Sequence, residues 1–160
     1  MERVDLQFSI SATTRDPRPG EAHASHYLFV SPEEFQNMID ADEFLEWAEY
    51  NDNSYGTPSA PIDQANAEGR AVLLDIEMQG ARQVKEHRPN ALMIFIEPPS
   101  LIEMERRLRS RGDTSDRDIA DRLRIAETQL AEASDLFDHV VVNSDLDAAV
   151  EEVVKLVTRG

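Results

Sequence analysis

The sequence predicts an α/β domain built on a parallel sheet. Three apolar runs, Val72-Leu73-Leu74, Ala91 to Ile96 and Val140-Val141-Val142, are continuous rather than alternating, and segments with helical spacing separate them. A strand that is apolar on both sides is expected to be covered on both faces, as in a parallel sheet between helices. The ligands of such a sheet sit at the carboxyl ends of its strands. At 160 residues the chain fits one domain able to bury about two-thirds of its unfolded surface.

The elements follow in order. Leu6 to Ile10 reads as a short strand. Ser31-Pro32-Glu33-Glu34 is a capping box with proline at the first helical position, and Phe35, Met38 and Ile39 share one face of a helix ending near Asp42. Phe44 to Tyr50 alternates weakly, as a strand. Ser54 to Pro58 is a turn or short strand, and Pro61 to Glu68 a helix stopped by Gly69. Ala71 to Ile76 and Ala91 to Ile96 are strands flanking a helix over Gln79 to Glu86. Ser100-Leu101-Ile102-Glu103 is a second capping box, followed by Leu101, Met104 and Leu108 on one face. Ile119, Leu123, Ala126, Leu130, Ala133 and Phe137 hold a helical stripe. A final strand at 140–142 precedes an amphipathic helix with Leu146, Val150, Val153, Val154 and Val157. The less regular segment between Thr13 and Gly69 reads as a small insertion on the main sheet.

Charge and composition narrow the classes of function. Sixteen basic and 32 acidic residues give a net charge of −16. That balance argues against general nucleic-acid binding and against anionic membrane surfaces. The sequence has no cysteine, which excludes disulfides and thiolate metal sites. Its longest apolar run is too short to span a bilayer, and Met1-Glu2-Arg3-Val4-Asp5 has no signal-peptide character, so a cytoplasmic location is the default.

Against that acidic background, arginine is concentrated in two places. Ser9 to Glu21 contains Arg15 and Arg18 in a hydroxyl-rich loop stiffened by Pro17 and Pro19. Guanidinium forks suit phosphate, and a stiff loop loses less entropy on binding; the alternative is a solvated turn. Arg106, Arg107, Arg109, Arg111 and Arg122 bracket the polar segment Gly112 to Ser115 and Asp116. These are either lid arginines facing phosphate or a solvated helix face paired to Glu103, Glu105 and Asp118. Tyr27 and Tyr55 can donate to phosphate or simply pack. Glu46 lies on a mostly buried strand and needs a donor, such as the adjacent N1–H and N2–H₂ of guanine, unless alternation turns it to solvent. Asp75 and Glu77 follow the strongest strand, where carboxylates hold Mg²⁺ or substrate, or complement a helix dipole.

Taken together these segments resemble guanylate kinase over essentially the whole chain. The matching runs are Ser9 to Glu21, Tyr27 to Val30, Glu43 to Ala48, Tyr55-Gly56-Thr57, Leu74 to Gly80, Pro98-Pro99-Ser100, Arg107-Leu108, Arg111-Gly112, Arg122-Leu123 and Val142 to Asp147. The resemblance implies a P-loop-kinase-like three-layer parallel sheet, a GMP-binding subdomain over 12–70 and a lid over 107–122, within a single domain. It implies phosphoryl transfer from MgATP to GMP, giving ADP and GDP. By resemblance, Ser11, Arg15, Arg18, Tyr27 and Tyr55 hold the GMP phosphate, Glu46 and Thr57 read the guanine, and Glu77 assists at the amino edge or near the metal. Arg107, Arg111 and Arg122 neutralise the transferring phosphoryl group, Asn143 lies near the adenine of ATP, and Asp75 lies near Mg²⁺. Asp113 stands where the family usually has threonine.

The family's opening strand, G-x-x-x-x-G-K-[ST] phosphate loop and helix have no counterpart in the 160 residues. Three readings follow. The segment is encoded upstream of a fragment; the chain is a non-catalytic nucleotide- or protein-binding module; or a homodimer or partner restores the missing strand. This chain alone is expected to bind GMP weakly and not to phosphorylate it.

Overall fold

Two parallel strand pairs and one mixed sheet make up the β structure. Leu6–Phe8 (β1) pairs in parallel with Ala71–Leu73 (β6), and Ile94–Glu97 (β7) pairs in parallel with His139–Val142 (β8). The remaining strands are Ala12–Thr13 (β2), Leu28–Phe29 (β3), Phe44–Tyr50 (β4) and Asn53–Pro58 (β5), ordered β3-β2-β5-β4. The helices are Pro32–Asp40 (α1), Ser59–Ala67 (α2), Met78–His87 (α3), Leu101–Arg111 (α4), Asp116–Leu136 (α5) and Leu146–Thr158 (α6). This computed structural model describes residues 4, 6–50, 52–111 and 115–158, the side chain of Arg111 excepted. The polar loop at 112–114, with Asp113, lies outside the described residues.

The chain divides into two compact units, Asp5–Ala91 and Leu92–Gly160 with Met1–Val4. The first contains β1 to β6 and α1 to α3; the second contains β7, β8 and α4 to α6. None of the helices is long and apolar enough to cross a membrane among the described residues.

The helix starts obey local chemistry. Ser31 Oγ accepts from the Glu34 amide at 3.1 Å while the Glu34 carboxylate accepts from the Ser31 amide at 2.7 Å, so the capping box is complete. Ser31→Ala is expected to lower stability by about 1 kcal/mol, read as a lower urea midpoint with unchanged slope; an unaltered midpoint would show that the cap contributes nothing. The second box is only half formed. Ser100 Oγ accepts from the Glu103 amide at 3.1 Å, but the Glu103 carboxylate binds Arg106 and Arg107 instead. Three charge-assisted bonds from two guanidiniums outcompete one from a backbone N–H.

The apolar strands are less covered than their composition predicts. Leu73, Ile96, Val140 and Val142 are exposed, and within β8 Val141 alone is buried. The core of the first unit lies under the mixed sheet instead, where Phe35 of α1 stacks on Phe44 of β4 at 4.6 Å beside Ala12. Burial of these rings fixes α1 against the sheet that carries the candidate site.

Candidate functional site

The mixed sheet sets Ser11, Thr57 and Glu46 in one row across three strands. Ala12 pairs with Gly56 and Thr13 with Tyr55, so the next step of that register sets Ser11 opposite Thr57. Thr57 is in turn the partner of Glu46. A bulge creates that last pairing: between Phe44 and Glu46, β4 advances two residues while β5 advances one, from Pro58 to Thr57. The extra residue, Leu45, breaks the alternation, and Phe44, Leu45 and Glu46 are all buried in succession. The weak alternation of the sequence is this bulge, and its effect is to turn a carboxylate inward.

Glu46 is 5% exposed and Thr57 is fully buried. The Thr57 hydroxyl donates to Glu46 Oε1 at 2.5 Å, and Ser11 Oγ lies 3.5 Å from Thr57 Oγ1. With its proton committed to Glu46, the Thr57 oxygen is the acceptor for Ser11, so the three side chains form a relay ending on the carboxylate. Burial raises the Glu46 pKa above its usual value; the Thr57 bond opposes that rise and the nearby Glu77 charge adds to it.

On the same face, two residues along β5, the Tyr55 ring meets that of Tyr27 edge-on at 6.2 Å. The Arg15 guanidinium lies 5.5 Å from the Tyr27 centroid and 5.9 Å from that of Phe29. Glu21 grips Arg15 in a two-pronged pair, with both N···O distances at 3.0 Å, and also accepts from the Arg18 amide at 2.7 Å. The pairing raises the Arg15 pKa and lowers that of Glu21. Glu21 N in turn donates to Arg18 O, closing a tight turn around Pro19 and Gly20. Gly20 takes φ +90°, the conformation that this position of a type II turn requires. The Arg18 side chain itself is exposed at the rim. The structure thus brings together Ser11, Thr57 and Glu46, and beside them Arg15, Tyr27 and Tyr55.

The other candidates are placed differently. Glu77 is the N-cap of α3, with Oε1 accepting from the Gln79 and Gly80 amides at 3.0 and 3.3 Å, so the helix-dipole reading of this residue holds. Asp75 is exposed just beyond β6. No three His, Asp or Glu side chains converge as a metal cage among the described residues. A lone exposed carboxylate nonetheless suits Mg²⁺, which usually takes one or two carboxylates and draws its other ligands from water and phosphate. In the second unit, Arg107 donates to Glu103 at 2.8 Å and to the Asn143 carbonyl at 3.0 Å, tying α4 to the end of β8. Arg106 and Arg109 pair with Glu103, Glu105 and Asp116, the solvated-face alternative, while Asp118 serves the Ser115 cap. Arg122 is half-buried on α5.

Three further residues contribute to the site. Gln83 and His87 of α3 bind the main chain of β4 around Glu46: Trp47 N donates to Gln83 Oε1 at 3.1 Å, Gln83 Nε2 donates to Trp47 O at 2.7 Å, and His87 Nδ1 lies 2.8 Å from Leu45 O. The third is Glu21. A carboxylate six residues beyond Arg15 in a Pro/Gly turn was the available signal for its pairing.

A family model described as guanylate kinase matches residues 2–159. The chain is 50% identical over 152 residues to the guanylate kinase of Synechococcus sp. (strain JA-3-3Ab), covering 95% of this chain and 70% of that protein. It is 51% identical over 158 residues to that of Synechocystis sp. (strain ATCC 27184 / PCC 6803 / Kazusa), covering 98% and 82% respectively. The crystal structure of guanylate kinase from Anaplasma phagocytophilum aligns with a TM-score of 0.81 at 30% identity, covering 97% of this chain and 76% of that one. On these matches and this architecture, the chain belongs to the guanylate kinase family.

Proposed function

We propose that this protein works in phosphoryl transfer from MgATP to GMP, and that residues 12–70 form its GMP-binding subdomain. The observation that carries the reading is a buried, hydroxyl-supported carboxylate on the same sheet face as an arginine flanked by two tyrosines. Glu46 offers acceptors to the N1–H and N2–H₂ of guanine, a pattern that adenine does not present. Arg15, Tyr27 and Tyr55, with Ser11 and Arg18, take the nucleotide phosphate. Thr57 orients the carboxylate, and Glu77, beyond its capping role, adds negative charge near the amino edge.

Catalysis by such a site is positioning and charge neutralisation without a covalent intermediate. The acceptor is itself a phosphate oxygen, so two polyanions must approach, which accounts for arginines on both sides of the reaction. Residues 107–122 would be the lid, with Arg107, Arg111 and Arg122 neutralising the transferring group and Asn143 beside the adenine. Asp75 is the residue that would hold Mg²⁺, whose chemistry when bound is to offset charge on the transferred phosphoryl.

No G-x-x-x-x-G-K-[ST] loop occurs within these 160 residues, and Lys85 and Lys155 belong to α3 and α6. Assayed by itself, the 160-residue chain is therefore expected to bind GMP in calorimetry yet release no ADP above background in a coupled assay. Absence of GMP binding would favour an interaction module instead; GMP-dependent ADP release well above background would show that other residues here hold the ATP phosphates.

A further inference from the structure

The position behind Glu46 is occupied by a glycine within a helix. Gly80 is the third residue of α3 and is buried. A Cβ built on it would overlap Glu46 Oε2 outright, stand 2.9 Å from Cδ and lie 3.4 Å from Cγ. All three of its nearest atoms belong to that one side chain. Gly80 has no positive φ, so backbone conformation does not demand glycine here. Helix propensity in fact favours alanine at such a position. What glycine supplies is room, and the group that uses the room is the buried carboxylate.

The rest of this helix face points to the same end. Gly80, Gln83 and His87 are spaced three and four apart and so line one side of α3. β4 is the edge of its sheet, and its outer main-chain groups face α3 instead of another strand. The Gln83 amide pairs with both the N–H and the C=O of Trp47, as a neighbouring strand would, and His87 meets the carbonyl of Leu45. The residues on either side of Glu46 are thus held by the helix whose glycine accommodates its carboxylate. Thr57 fixes the opposite side of the same group.

We infer that Gly80 is a specificity-determining positioning residue: by carrying no side chain, it reserves the volume that lets Glu46 hold its carboxylate where guanine is read. The inference rests on the proposed base-reading role of Glu46. A methyl group at position 80 has a flexible neighbour to displace, so the helix survives; the displaced atoms are the oxygens that make the recognition. The penalty falls on nucleotide binding rather than on folding.

The test is a double-mutant cycle of wild type, Gly80→Ala, Glu46→Ala and the double variant, read by GMP calorimetry and thermal melting. Gly80→Ala is expected to weaken GMP binding about tenfold or more without lowering Tm. Glu46→Ala is expected to weaken it at least as much, and the double variant no further than Glu46→Ala alone, because the added methyl then meets no carboxylate. Wild-type affinity in Gly80→Ala alongside a loss in Glu46→Ala overturns the role of Gly80 alone. Additive losses in the double variant, or a lower Tm that Glu46→Ala does not relieve, also overturn it, since the methyl would then act elsewhere. Wild-type affinity in Glu46→Ala overturns the base-reading role and this inference with it.

Discussion

Replacing Glu46 with glutamine is expected to cost GMP affinity at least about a hundredfold, while the unliganded protein becomes more stable at neutral pH. The two effects have one origin. The carboxylate is buried, and burial is the largest influence raising its pKa from the ordinary 4.5. Thr57 offsets part of the penalty by donating to Oε1, but the nearby Glu77 charge adds to it. A carboxyl whose pKa is higher folded than unfolded binds more protons in the native state between those two values. Stability therefore falls as pH rises through that window, and the ionised group remains a burden above it. Glutamine removes the titration, so its denaturant midpoint should exceed that of wild type at pH 7, and the two curves should converge below pH 4.5.

Recognition moves the opposite way. The glutamine oxygen can still accept from Thr57, but its NH₂ then presents donors to the guanine edge, whose N1–H and N2–H₂ are also donors. Buried donors left facing donors are expensive. In wild type, GMP stabilises the charged carboxylate, so binding should release a proton and strengthen as pH rises through the same window. Calorimetry of both proteins upward from pH 4.5 checks this, with Glu46→Gln reporting the titration of the GMP phosphate itself; a wild-type pH dependence no larger than that of Glu46→Gln, or unimpaired GMP binding by Glu46→Gln, would place guanine recognition elsewhere.

Arg15→Lys is expected to lower GMP affinity about thirtyfold while leaving guanosine affinity unchanged. The wild-type guanidinium makes a two-pronged pair with Glu21 and lies over the Tyr27 ring. A lysine ammonium is a compact point charge that cannot keep both Glu21 oxygens, the ring face and a phosphate in a fixed arrangement. Competition titrations with the nucleotide and the nucleoside separate the outcomes. Equal losses for both ligands would mean that Arg15 supports the pocket as a whole rather than the phosphate end, since guanosine has no anion to lose. In a chain of net charge −16, an arginine clamped this way is the local exception that lets an anion approach.

Much of this architecture was legible in sequence because its signals are strong locally. The Ser31 box, the strand at Phe44–Tyr50 and the helices over 78–87 and 146–158 each follow from caps or periodicity over several residues. β2 and β3 are two residues each, too short for any period to register, yet β2 is the strand that aligns Thr13 with Tyr55 and Ser11 with Thr57. The inward turn of Glu46 depends on a bulge, which a reading by strict alternation blurs into weak patterning. Local signals also misled. Glu103 had the right spacing for a full capping box, but two arginines in the next turn compete for it. Continuous valines at 140–142 suggested cover on both sides, yet Val140 and Val142 are exposed, because periodicity reports what a strand could bury and not what lies against it.

A crystal structure of this chain with GMP examines the central claim most directly. The guanine amino edge should lie against the Glu46 carboxylate with Thr57 still donating to it, and the phosphate should sit between the guanidinium of Arg15 and the hydroxyls of Tyr27 and Tyr55. A nucleotide bound on another face of the mixed sheet, or one whose base leaves Glu46 bonded to Thr57 alone, would contradict it.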